Sequence, residues 1–266
     1  MTPVEVHQGD SPVVLGLPHT GTWLPEDILS ALNARGRALS DTDWHIHRLY
    51  DGLLPGATTV RATFHRYAID ANRDPSGESL YPGQNTTGLV PLSDFDGEPI
   101  WSTAPDAAEI ERRRLAYHAP YHAALMAEME RVRDRHGVAI LYDCHSIRSH
   151  IPFLFEGILP DFNIGTNNGA SCDSRIEAAT TSVCAAAQGY THVLNGRFKG
   201  GWTTRHYGRP QEGFHAIQME LAQATHLAQE TLPFDYDEDR AAPLRVHLKD
   251  ILTQLADLAP NLQGTS

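Results

Sequence analysis

Two histidines stand where an α/β enzyme places its chemistry. His145 closes the stretch Val138 to Leu141, Tyr142, Asp143 and Cys144, which begins as an apolar run and reads as a buried strand. His19 follows Val13-Val14-Leu15-Gly16-Leu17-Pro18 in the same way, and Gly21 just beyond it lets the backbone turn beside a bound group. Imidazoles at the ends of two strands suit a divalent metal. A hydrolytic zinc site takes three protein ligands from His, Asp and Glu and leaves the fourth position to water. The third ligand is then a carboxylate, and Asp43, Asp41, Glu26 and Asp143 are the candidates. Asp143, on the strand of His145, is also placed to orient an imidazole from behind.

A further carboxylate stands out in Phe214-His215-Ala216-Ile217-Gln218-Met219-Glu220-Leu221. Strand alternation puts Ile217, Met219 and Leu221 on one face and Gln218 with Glu220 on the other. Cys144 beside His145 invites a thiol-nucleophile reading, but adjacent strand residues face opposite ways and cannot easily share a proton. His45 and His47 fall two apart on an expected helix and do not share a metal.

The elements that must carry these groups follow from periodicity and punctuation. Pro25 to Asn33 reads as a short helix with Glu26 and Asp27 in its first turn, and a second helix runs from Asp41, as N-cap, to Tyr50 and Asp51. Thr58 to Phe64 and Tyr67 to Ile69 read as strands. Asp106 to His136 has helical spacing, with Gly137 as its stop and Pro120 marking a kink or restart. Ser174 to Gln188 and Ala241 to Leu258 are further helices; Thr191 to Phe198 and Phe214 to Leu221 are further strands. Strands interspersed with helices indicate a three-layer α/β/α sandwich with a mixed sheet. The length of 266 residues favours one domain, and the Pro- and Gly-rich stretch around 74–105 reads as a long binding loop within it.

Composition narrows the partners. A formal net charge of −12 argues against nucleic acid, so attraction for an anionic small molecule must come from a local metal and a few arginines. No apolar run approaches a membrane span, and residues 1–10 lack a basic segment followed by an apolar one, so a cytoplasmic protein is expected. Three cysteines, oddly spaced, imply reduced thiols rather than a disulfide framework or a paired-cysteine zinc site. Oligomeric state is not legible.

Asp70-Ala71-Asn72-Arg73 with Asp143-Cys144-His145-Ser146 resembles the zinc carboxypeptidases, in which the first segment holds a substrate carboxylate and the second carries a zinc-binding histidine. A longer resemblance is to the N-formylglutamate deformylases, or amidohydrolases. It rests on Pro18-His19-Thr20-Gly21, Asp41-Thr42-Asp43-Trp44-His45, Arg48-Leu49-Tyr50-Asp51, Asp70-Ala71-Asn72-Arg73-Asp74-Pro75, Asp161-Phe162-Asn163-Ile164-Gly165-Thr166, Arg197-Phe198-Lys199-Gly200-Gly201 and Gln218-Met219-Glu220. These blocks span most of the chain.

The resemblance implies a mostly parallel, carboxypeptidase-like sheet and a zinc-dependent amidohydrolase that cleaves N-formyl-L-glutamate to L-glutamate and formate in histidine degradation. It implies His19 and His145 as zinc ligands and Glu220 as the base that deprotonates water. Carboxypeptidases place a glutamate three residues after the first histidine, and this chain has Thr22 there. The missing carboxylate comes from elsewhere, and Asp43 is the expected third ligand because its motif recurs in the deformylase pattern, with Asp41 and Glu26 in reserve. Asn72 and Arg73 are expected on one substrate carboxylate. A dicarboxylate needs a second clamp, for which Arg148 and Arg205 are nearest in sequence, followed by Arg66 and Arg209. The competing expectations are a zinc deacylase or carboxypeptidase for another N-acyl amino acid or short acidic peptide, and a non-catalytic metal-dependent sensor of acidic amino acids. Glu220 speaks against the sensor, which needs no base.

Overall fold

The computed structural model describes residues 2–78 and 85–262 and builds them around one seven-stranded mixed sheet. The strands are β1 (Val4–His7), β2 (Val13–Leu17), β3 (Thr58–Ala62), β4 (Ala139–Ile147), β5 (Phe162–Gly165), β6 (His192–Leu194) and β7 (Phe214–Ala222), in the order β1-β3-β2-β4-β7-β5-β6. The central run β3-β2-β4-β7 is parallel throughout, as is the pair β5 and β6. β1 lies antiparallel to β3, and β5 antiparallel to β7. β2, β4 and β7 are buried along their whole length, as expected of parallel strands covered on both faces.

The helices are α1 (Glu26–Ala31), α2 (Ala34–Arg37), α3 (Ile46–Tyr50), α4 (Ala107–Arg113), α5 (Ala119–His136), α6 (Ser174–Ala186), α7 (Trp202–Tyr207) and α8 (Glu238–Leu258). α3, α6 and α8 pack on one face, where Ile46, Leu49, Ile176, Leu244, Leu248 and Ile251 meet Leu15, Ile140 and Ile217. α1 and α5 cover the other, where Ile28, Tyr121, Leu125 and Met129 meet Val14, Val60, Leu141 and Ala216. This is the three-layer α/β/α arrangement expected from the sequence. The chain passes from β2 to β3 on one side and then back across to β4 on the other. The ends of β2 and β4 therefore open a crevice of the kind in which α/β sheets bind ligands.

Four local expectations change. Asp41 caps no helix: its carboxylate accepts from the Tyr67 hydroxyl and the Phe95 N–H, and α3 starts only after His45, whose φ is 59°. Tyr67 to Ile69 is a turn rather than a strand, because the Arg113 side chain, not a neighbouring strand, donates to the Tyr67 and Ala68 carbonyls. The strand expected over Thr191 to Phe198 shrinks to β6, since Asn195 enters the left-handed region at φ 51°. The long helix of 106–136 is continuous, with no break at Pro120. It widens into a π turn over Arg114–His118, where the Ala119 N–H bonds to the Arg114 carbonyl five residues back. Proline lacks the N–H that a regular α turn needs, and widened turns are one way a helix absorbs it.

Within the stretch 74–105, residues 79–84 lie outside the described residues. The others form turns and isolated bridges such as Ser93 with Pro99. Among the described residues no helix is long and apolar enough to cross a membrane.

Candidate active site

β2 delivers His19 and β4 delivers His145 to the same end of the sheet, with ring centroids 5.0 Å apart. The turn after β2 fits because Gly21 has no side chain: a Cβ there would stand 2.4 Å from the Thr63 backbone. The requirement at Gly21 is thus close chain approach to the end of β3, rather than a turn only glycine can make. Asp43 joins from the loop before α3, its N–H donating to the His19 carbonyl at 3.0 Å. Its Oδ2 lies 3.1 Å from His145 Nδ1 and accepts the Ser146 N–H at 3.2 Å. Candidate ligand atoms of His19, Asp43 and His145 all lie within 4.8 Å of one another, and all three residues are buried.

The hydrogen bonds behind the rings decide which atoms face this point. His19 Nε2 lies 2.7 Å from Asp70 Oδ1, and the Arg66 guanidinium donates to His19 Nδ1. A guanidinium can only donate, so Nδ1 carries the lone pair and Nε2–H binds Asp70. His145 Nε2 lies 3.0 Å from Asp143 Oδ2, which leaves Nδ1 toward Asp43. Each imidazole is thus backed by a carboxylate and turns its other nitrogen inward, the arrangement that supports metal-ligating histidines. Two imidazoles and one carboxylate match the donors of a divalent cation, and the positive Arg66 already faces them. The residues fit such a metal. Of the other carboxylates considered, Asp143 backs His145, Asp41 faces Tyr67 and Phe95, and Glu26 is exposed on α1.

Electrostatics follow from this packing. Burial works to raise Asp43 and Asp70, yet His19 and Arg66 bear on both and Arg73 on Asp70, and both stay below the usual carboxylate range. Burial would lower His145, but Asp143 and Asp43 hold it well above the ordinary histidine value. Glu220 behaves in the opposite way to the two aspartates. Burial first, then the nearby Asp43 and Asp143, push it up to about 8 against the pull of His145 and Arg66. Its Oε2 accepts from the Gln218 amide at 3.2 Å, and the Gln218 oxygen accepts the Gly201 N–H at 2.7 Å.

His19, His145 and Glu220 line one cavity of about 270 Å³, together with Asn72, Arg66, Arg73 and Arg197. Asn72 is fixed on three sides: its N–H donates to Asp70, its side-chain oxygen accepts the Thr203 N–H at 2.8 Å, and its amide nitrogen lies 3.1 Å from His145 Nε2. A Cβ on Gly201 would come within 2.4 Å of that amide. Arg73 donates to the Thr87 carbonyl and hydroxyl at 3.0 and 2.9 Å, and Arg197 to the Leu154 and Asn85 carbonyls, both at 3.1 Å. Asp74, Gly77, Glu78, residues 85–89 and Phe95 add wall from the long loop.

Arg148 and Arg205 are not among the residues that line this cavity: Arg148 pairs with Asp96 at 2.9 Å, and Arg205 Nε donates to the Gly200 carbonyl. Arg197 stands in the Arg197-Phe198-Lys199-Gly200-Gly201 block, and that block was the signal for it. Nearness to His145 in sequence does not point to it as a clamp.

Comparisons with known proteins agree with the geometry. A family model described as N-formylglutamate amidohydrolase matches residues 11–227. A protein of Pseudomonas putida described as N-formylglutamate deformylase is 49% identical over 252 residues, covering 94% of each chain. One of the same description from Pseudomonas aeruginosa is 47% identical over 251 residues, 93% of this chain and 94% of that one. Among solved structures, the N-formylglutamate amidohydrolase of Ralstonia eutropha JMP134 superposes with a TM-score of 0.81 at 27% identity, over 98% of this chain and 99% of that one.

Proposed function

The chain belongs to the N-formylglutamate amidohydrolase family, and from that membership we propose how its cavity works. It is an enzyme that hydrolyses N-formylglutamate, giving glutamate and formate. We read it as one amidohydrolase domain, cytoplasmic, in which the loop around 74–105 forms part of the binding wall.

In this reading His19 and His145, each with Nδ1 turned inward, and Asp43 would hold one divalent cation. Their nitrogen and oxygen donors suit zinc, and cobalt, nickel or manganese also fill such sites. A bound cation would supply Lewis acidity toward the formamide carbonyl and a water. Glu220 takes the proton of the attacking water and passes it to the nitrogen of the departing glutamate. Burial holds its pKa above the ordinary carboxylate value in the metal-free site, which favours passing the proton on once it has been taken. Arg66, buried beside His19 and Asp43, faces the negative charge that develops on the formyl oxygen.

Asn72 and Arg73 hold one substrate carboxylate. For the second we replace Arg148 and Arg205 with Arg197, because Arg197 lines the cavity. Two held carboxylates align the formyl group, which offers little binding surface of its own. The observation that carries this reading is the meeting of His19, Asp43 and His145, the two histidines on the wall of a cavity that also presents Glu220 and three arginines. Formate release from a panel of N-formyl and N-acetyl amino acids, before and after chelation, tests it. N-formylglutamate should lead the panel, and activity should vanish on chelation and return with added metal. Full activity in chelator would remove the metal from the reading.

A further inference from the structure

The helical stretch that leads into β4 directs three side-chain donors at the backbone of residues 67–73, the connection that carries Asp70, Asn72 and Arg73. From α4, Arg113 donates to the Tyr67 and Ala68 carbonyls at 3.5 and 3.2 Å. From the last residue of the π turn, His118 Nε2 meets the Arg73 carbonyl at 3.1 Å, and from α5 beyond it His122 Nε2 meets the Ala71 carbonyl at 2.8 Å. A carbonyl only accepts, so both imidazoles donate, one on each side of Asn72. The Ala71 carbonyl fixes the ring proton on Nε2, and the Tyr207 hydroxyl lies 3.0 Å from Nδ1, which can then only accept, and 3.2 Å from the His122 carbonyl.

The two rings are four residues apart on one helix face, with centroids at 4.3 Å, and Trp202 packs against both. The π turn sets this face. One residue fewer in the helix would rotate everything beyond it by about 100° and take both rings off their carbonyls. Desolvation lowers the pKa of both histidines, so they stay uncharged donors.

We infer that His118 and His122 are positioning residues for the substrate carboxylate: by holding the carbonyls on either side of Asn72 they set the angle at which Asn72 and Arg73 meet it. The inference rests on the clamp role proposed above for Asn72 and Arg73. Clamps of this kind lose rate and affinity steeply when displaced by an ångström.

The test is steady-state kinetics of the metal-loaded enzyme with N-formyl-L-glutamate, with Arg73→Ala as reference. His118→Leu and His122→Leu should raise KM on the order of tenfold, with a much smaller change in kcat and full metal content. His118→Gln and His122→Gln, whose amide N–H can reach the same carbonyls, should recover most of the loss. Unchanged KM in the leucine variants, or glutamine variants no better than leucine, overturns the inference. Where a leucine variant does not fold, Tyr207→Phe decides: a rise in KM supports the inference, and an unchanged KM overturns it. If Arg73→Ala raises KM and the histidine variants do not, the positioning role falls alone. If Arg73→Ala leaves KM unchanged, the clamp falls and takes this inference with it.

Discussion

His145 and Glu220 are register partners on the adjacent parallel strands β4 and β7. Strands in a sheet run about 4.8 Å apart, so an imidazole and a carboxylate paired in register on one face share a wall. Both line the cavity, while their neighbours Cys144 and Met219 turn into the core on the other face. Side-chain direction alternates with period two, so a slip of one residue in either strand would part the pair. The register of two nine-residue strands is therefore a condition of the chemistry as well as of the fold.

The first prediction tests the Glu220 end of that pair. Glu220→Gln keeps the size and the hydrogen bond to Gln218 but cannot take a proton from water. Formate release should fall on the order of 100-fold or more, with metal content unchanged by elemental analysis. Turnover near that of the parent would remove Glu220 as the base.

The second concerns the carboxylates behind the imidazoles. Asp70 accepts from His19 Nε2–H and so keeps the lone pair on Nδ1, the atom that Arg66 meets and that a metal would take. Asp70→Asn should weaken metal affinity roughly 10- to 100-fold, measured by competition with a chelator, and excess metal should restore activity. Asp41→Asn, whose side chain faces Tyr67 and Phe95, should leave that affinity alone. Equal losses in the two variants would mean that Asp70 acts on the fold and not on the metal.

The sequence makes the sheet legible where burial is continuous. Val13 to Leu17, Val138 to Leu141 and Phe214 to Leu221 carry runs or alternations that only a covered strand explains, and they bring His19, His145 and Glu220 with them. Short elements held by side chains escape such a reading. β5 is four residues long, and the turn at Tyr67 to Ile69 exists because Arg113, more than 40 residues away, supplies its donors. The third arginine of the cavity wall escapes for a related reason. Arg148 is near His145 in sequence but reaches Asp96, whereas Arg197, beyond β6, returns to the cavity through the folded loops. Strand-end positions follow from local pattern; pocket walls made of loops do not.

The third prediction separates the arginines. Arg73→Ala and Arg197→Ala should each raise KM for N-formylglutamate, on the order of tenfold or more, since each removes a charge-assisted contact to a carboxylate. Arg148→Ala should leave KM close to that of the parent, because its guanidinium pairs with Asp96 away from the cavity. A substrate with a single carboxylate, such as N-formylmethionine, should be affected less by Arg197→Ala than N-formylglutamate is. An effect of equal size on both substrates would refute a carboxylate-reading role.

The last prediction concerns stability of the metal-free protein. Burial, joined by Asp43 and Asp143, raises Glu220 from an ordinary value of 4.5 to about 8 in the folded chain. The folded state then holds a proton that the unfolded chain has released, so the contribution of Glu220 is complete below pH 4.5 and is lost as pH rises through 8. Between those limits the parent should lose stability relative to Glu220→Gln by at most about 1.4 kcal/mol per pH unit, because the glutamine stays neutral throughout. Urea unfolding of both proteins at pH 5, 6, 7 and 8, in the presence of chelator, measures the difference. A gap that widens with pH supports the buried, proton-holding carboxyl. A gap independent of pH would mean that Glu220 is already ionised in the folded protein and that His145 and Arg66 outweigh its burial.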